Sequence, residues 1–226
     1  MSVEYRVISI GALSHNRLWG ETAAVRTAHA TTTVVCEDQR MILVDPSLPG
    51  PILGARFNER TGGGLLDVTD VFCTTLRPVH RRGIEALDGA KWWSADSEIQ
   101  WYREHVSAML DAAERVSPED AAGARADLKL LERFEAAPEK FSRQVQVYPL
   151  WGATPGSSGL LLTPATTTIV IAGDAALTAE HVMRGQVWKG CMDTEAATTS
   201  LKEMLELVDV IIPGHDNLMF APGKWV

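Results

Sequence analysis

Thr74-Thr75-Leu76-Arg77-Pro78-Val79-His80 follows directly on Asp70-Val71-Phe72-Cys73. The apolar run reads as a short buried strand, and the polar continuation as the loop that leaves it. Loops at strand ends are where binding and catalytic side chains collect. This loop closes on an imidazole, His80. Two later segments end in the same way. The strand expected from Thr167 to Ile171 runs through Ala172-Gly173 into Asp174, and Val210-Ile211-Ile212 runs through Pro213-Gly214 into His215. Two imidazoles and one carboxylate at strand ends make a ligand set for one metal ion.

In their order along the chain, these segments resemble the motifs of the metallo-β-lactamase superfamily. Met41-Ile42-Leu43-Val44-Asp45-Pro46 is similar to the family's strand ending in a buried aspartate. The loop from Thr74 to His80 resembles the family's Thr-His-x-His-x-Asp-His. Gly152-Ala153-Thr154-Pro155-Gly156-Ser157 resembles its Gly-His-Thr-Pro-Gly-Ser turn. Gly173-Asp174 and Pro213-Gly214-His215 resemble the segments carrying its bridging aspartate and its last histidine ligand. The resemblance covers nearly the whole chain. It implies an α+β fold, a four-layer αββα sandwich forming a single domain over 1–226, with a helical hairpin inserted at about 97–135.

The resemblance also implies what is missing. The positions of the first metal's ligands hold Thr75, Arg77 and Ala153. A threonine is a poor ligand, an alanine is none, and an arginine is a fixed cation that repels metal. Of the second metal's ligands, His80 and His215 remain, Val79 stands where the family has an aspartate, and Asp174 completes a set of three. A hydrolytic site clamped by two metals is therefore not expected. Two states stay open: one divalent metal (zinc, iron or manganese) on His80, Asp174 and His215, or no metal, with Arg77 supplying the positive charge opposite Asp174.

Each state implies a function. With one metal, the chain is a hydrolase of a small-molecule ester, thioester, lactone or related bond. Asp174 or Asp216 would then take a proton from water, and Arg77 would meet a developing oxyanion or a substrate carboxylate. Without metal, the chain binds a small acidic ligand through Arg77. A redox use of the triad has no other feature in its support. Asp45 is expected to orient backbone or an imidazole, as is Asp216 beside His215. Thr75, Trp151 and His181 are expected in or behind the pocket, with Trp151 as an apolar wall. His15, His29 and His105 read as surface or structural residues.

Composition narrows the partners. The chain has 226 residues, 46% of them hydrophobic and 22% charged, as in ordinary globular domains. A net charge of −8 and the lack of a basic run disfavour nucleic acid and anionic membranes. Three scattered cysteines do not make a disulfide framework. No secretory signal or membrane-length apolar run is visible, so a cytoplasmic protein is expected. The partner is a small molecule; oligomeric state is not legible.

Further elements follow from pattern. Thr31–Cys36 and Met41–Val44 form a hairpin, and Pro51–Asn58 a helix closed by Gly62-Gly63-Gly64. A short helix is expected over Arg81–Leu87 and a strand at Lys91–Trp93. Glu98–Phe134 reads as largely helical, with Ser117-Pro118-Glu119-Asp120 as the start of a second helix that carries Leu128, Leu130, Leu131 and Phe134. Glu195–Leu207 has one apolar stripe.

Overall fold

A computed structural model of the chain describes residues 2–223. Its strands fall into two sheets. The first is β1(Glu4–Ser9), β2(Thr32–Glu37), β3(Arg40–Val44), β4(Asp70–Phe72), β5(Lys91–Ser94) and β6(Phe134–Ala136), in that spatial order. The second has the order β11(Met219–Phe220), β10(Val210–Pro213), β9(Ile169–Gly173), β8(Ser158–Leu162), β7(Val145–Pro149). The helices are α1(Gly50–Thr61), α2(Asp96–Ala113), α3(Pro118–Leu131), α4(Ala179–Met183) and α5(Thr194–Leu207).

Alternation along the strands explains the layering. Ile42 and Val44 join the core between the sheets, whereas Leu43 between them joins the core under the first helical layer. Leu160 and Leu162 likewise face the first sheet, while Leu161 faces outward to α5. A strand buried on both faces needs an unbroken apolar run, which is what these segments have. Leu53 and Phe57 of α1 and Ile99, Tyr102 and Val106 of α2 cover one sheet. Leu201 and Met204 of α5 cover the other. The result is an αββα sandwich.

The hairpin at 97–135 is α2 and α3, packed on the first sheet and not a separate unit. Two expected elements are corrected. Arg81–Leu87 is not an α-helix but contains a 3-10 turn at Ile84–Leu87, after another at Pro78–His80. Gly83 explains this: a Cβ there would lie 2.1 Å from the Leu48 carbonyl oxygen, so the segment is threaded past another backbone. The second correction concerns Phe134. The helix ends at Leu131, and Phe134 begins β6, pairing with Trp92 of β5. A three-residue strand is too short to display alternation.

Strand direction brings the candidate residues together. β3 and β4 run parallel, as do β9 and β10, so the loops after them leave one edge. β7 is antiparallel to β8, and β8 to β9, so the turn after β7 leaves the same edge.

Candidate active site

Asp174 is the hub. It follows β9 at Gly173, whose φ is +54°, and a Cβ on Gly173 would lie 2.3 Å from the Thr74 hydroxyl oxygen. Only glycine lets the aspartate loop close on the loop after β4. Asp174 is 3% exposed. Its Oδ1 lies 3.1 Å from His80 Nε2 and 3.2 Å from His215 Nε2. Its Oδ2 accepts from the Arg77 guanidinium at 2.8 Å. Burial alone would raise the carboxyl's pKa, but the charge on His80 and hydrogen bonds from both imidazoles hold it well below the ordinary value.

Each imidazole has its other nitrogen committed. His80 is fully buried, and its Nδ1 lies 3.0 Å from Asp45 Oδ2. Burial opposes its protonation, but Asp174 and Asp45 on either side raise its pKa to about 10. His215 donates from Nδ1 to the His29 carbonyl at 2.9 Å. Asp45 has φ +50°, a conformation aspartate tolerates better than most residues. Its carboxylate accepts from the Thr74 N–H at 2.9 Å and the Thr74 hydroxyl at 2.7 Å. Asp45 thus ties down the loop that carries both Arg77 and His80.

The donor chemistry differs between the two candidate metal positions. One ligand atom from each of His80, Asp174 and His215 lies within 4.8 Å of the others, and both Nε2 atoms face the carboxylate. This set fits one metal ion. The neighbouring position does not fit. Arg77 fills it, bonded to Asp174 and to the Ala153 carbonyl at 2.7 Å, with its guanidinium 4.4 Å from the centre of the Trp188 ring. Thr75 is buried, and its hydroxyl accepts from the Arg77 backbone N–H.

Other expected residues lie elsewhere. Asp216 does not orient His215; its carboxylate accepts from the Ala179 N–H at the start of α4 and from Asn217. The His29 carbonyl does that work instead. Trp151 is 55% exposed and does not line the cavity; the aromatic wall is Trp188. His181 does line it, with Nδ1 held by the Thr178 hydroxyl at 2.8 Å. Burial lowers its pKa against the pull of Glu180. His15, read as a surface residue, also lines the cavity, whereas His105 stacks on Trp101 away from it.

Glu98 went unrecognised in the sequence. It is fully buried at the start of α2, accepting from the Leu76 N–H at 2.9 Å and the Thr154 hydroxyl at 2.6 Å. It joins the Arg77 loop to the Ala153 turn. Burial raises its pKa, and those hydrogen bonds oppose the rise. In the sequence it looks like any acid in a helix's first turn, and only its depth distinguishes it.

The cavity over Asp174 holds about 940 Å³ and is walled by Leu13, Leu177, Val187 and Trp188 among others. No protein-family model matches the chain, and no curated protein does. Solved structures do. A Thermotoga maritima protein provisionally described as a metallo-β-lactamase superposes with a TM-score of 0.68 at 14% identity, over 97% of this chain and 100% of its own. The dizinc quorum-quenching lactonase AidC gives 0.67 at 17% identity, over 86% of this chain and 77% of its own. A variant of AiiA from B. thuringiensis, with N-decanoyl-L-homoserine at its active site, gives 0.66 at 15%, over 96% and 94%. At such identities the likeness establishes the fold: this is the metallo-β-lactamase αββα sandwich.

Proposed function

We propose that this chain, built on the metallo-β-lactamase fold, is a hydrolase of a small-molecule ester, thioester, lactone or related bond that works with one metal and one arginine. The observation that carries this reading is the division of Asp174, with Oδ1 turned to two Nε2 atoms and Oδ2 to Arg77. One divalent ion held by His80, Asp174 and His215 would supply a water acidic enough to attack near neutral pH. The other tasks belong to the protein. Asp174, whose Oδ1 faces both imidazoles at the ion's position, would be the carboxylate placed to accept the proton that water loses. Arg77 keeps further N–H groups free for an oxyanion, since each terminal nitrogen is engaged once. Asp45 and the His29 carbonyl fix the two rings. Trp188 and its apolar neighbours exclude water from one side of the bound molecule.

A second reading has its own observation in favour. With His80 protonated between Asp45 and Asp174, and Arg77 paired with Asp174, the centre is hydrogen-bonded and neutralised without an ion. In that reading the chain is a metal-free binder of acidic ligands. Elemental analysis of untagged protein, with turnover of an aryl ester and a lactone, separates the two. The hydrolase reading expects one metal per chain, lost in His80→Ala and in His215→Ala together with turnover. Metal-free protein without turnover supports the binder, and two metals per chain defeat both readings.

A further inference from the structure

The cavity differs in charge from the molecule around it. The chain carries 21 lysines and arginines against 29 aspartates and glutamates. Among the charged residues lining the cavity the balance reverses: Arg17, Arg77, Arg184 and Lys189 stand against Asp174 alone. Asp174 is already answered inside the centre by Arg77 and the two imidazoles. Arg17, Arg184 and Lys189 are exposed on the cavity wall. Among the described residues, none of the three forms an ion pair with a carboxylate. In an acidic protein, three unpaired cations in one concavity focus a positive field on whatever enters it.

A second observation comes from Asn16, which lines the same cavity and is 1% exposed. Its Oδ1 accepts from the Leu18 N–H at 2.9 Å, but its Nδ2 has no acceptor. Buried donors are rarely left without a partner in folded proteins. That atom lies behind the cavity surface, so it is the cations reaching the cavity itself that point to a ligand.

We infer that the molecule acted on carries an anionic group, a carboxylate or phosphate, held by Arg17, Arg184 and Lys189 while its reacting bond lies at Asp174. This names the substrate class of the proposed hydrolase and rests on that reading, but the anion contacts can be tested without turnover. The guanidinium fork matches carboxylate and phosphate alike. An uncharged ester or lactone would leave the three cations without a counterpart.

The test is calorimetric titration of the full chain, as purified, with glutarate and with glycerol 3-phosphate. Pentane-1,5-diol and glycerol serve as their uncharged counterparts. At least one anion should bind and neither diol nor glycerol should; the tighter anion identifies the group. The double variant Arg184→Gln/Lys189→Gln should weaken that binding about tenfold or more, equivalent to about 1.4 kcal/mol per decade. Raising salt from about 0.01 to about 0.1 M, which shortens the screening length from about 30 to about 10 Å, should weaken it in the wild type. Failure of both anions to bind, or equal binding by the double variant, overturns the inference. Anion binding without turnover of any ester or lactone defeats the hydrolase reading and leaves this inference standing. Turnover of a neutral ester without anion binding does the reverse.

Discussion

Arg77 gives the centre its character at the scale of single residues. Its side chain is 19% exposed and bonded at both terminal nitrogens, so it is a built part of the centre. In Arg77→Ala the three candidate metal ligands remain and a repelling charge is gone, so metal content should hold or rise on elemental analysis. Turnover should fall by about 10²- to 10³-fold, the usual cost of removing one oxyanion donor. Arg77→Lys restores a charge but not the fork, and kcat should recover only in part. Unchanged kcat in Arg77→Ala would remove arginine from the chemistry.

His80 makes a pH prediction at the same scale. Its pKa rises from 6.5 to about 10 in the metal-free fold. Below the ordinary value, folded and unfolded chains both carry the proton, and the stabilisation is complete. As pH climbs through the folded value that stabilisation is lost. Metal-free protein should therefore have falling urea midpoints from about pH 6.5 to about pH 10, while His80→Gln shows a flatter profile. Parallel profiles would mean that the Asp45–His80–Asp174 chain is not the source. A metal replaces the same proton, so its affinity should increase with pH.

At the scale of elements, α2 does more than cover a sheet. Glu98 reaches from its first turn to Leu76 and Thr154, so one buried carboxylate holds two loops in register. Glu98→Gln keeps the Leu76 bond through its amide oxygen and turns its NH2 toward the Thr154 hydroxyl. The Thr154 hydroxyl must then turn from donor to acceptor, and replacing two charge-assisted bonds by neutral ones should cost about 1–3 kcal/mol in chemical denaturation. Turnover should fall even where the variant stays folded, because Arg77 and Ala153 lie on the two loops it joins. A stable Glu98→Gln with wild-type kcat would reduce the residue to packing.

An ion on His80, Asp174 and His215 would link metal binding to folding of the whole molecule. The three candidate ligands come from segments separated by 94 and 41 residues, so the unfolded chain has no equivalent site. Excess zinc or manganese should raise Tm in melts with and without a chelator. The stabilisation should approach about 2.7 kcal/mol at a hundredfold excess over Kd. His215→Ala should abolish the increase. A melt indifferent to every divalent ion would favour the metal-free centre.

Much of this was legible in the chain alone. The doubly buried strands announced themselves as unbroken apolar runs, and Ser117-Pro118 marked the start of α3. Residue types at strand ends pointed to His80, Asp174 and His215, and the resemblance to the metallo-β-lactamases marked Thr75, Arg77 and Ala153 as departures from its ligand set, because donor chemistry is a property of the side chain itself. Depth, direction and partners were not legible, since they depend on what another part of the chain brings alongside. Glu98 and a surface glutamate have the same letter, and burial separates them only once α2 packs. Asp216 and Trp151 sit beside the right residues in sequence, but their side chains serve α4 or face solvent. The cations Arg17, Arg184 and Lys189 are scattered along an acidic chain and become one field only where the loops converge. Sequence fixed which chemical groups were available; tertiary packing decided which of them share a space, because distance, burial and hydrogen-bond direction exist only between segments.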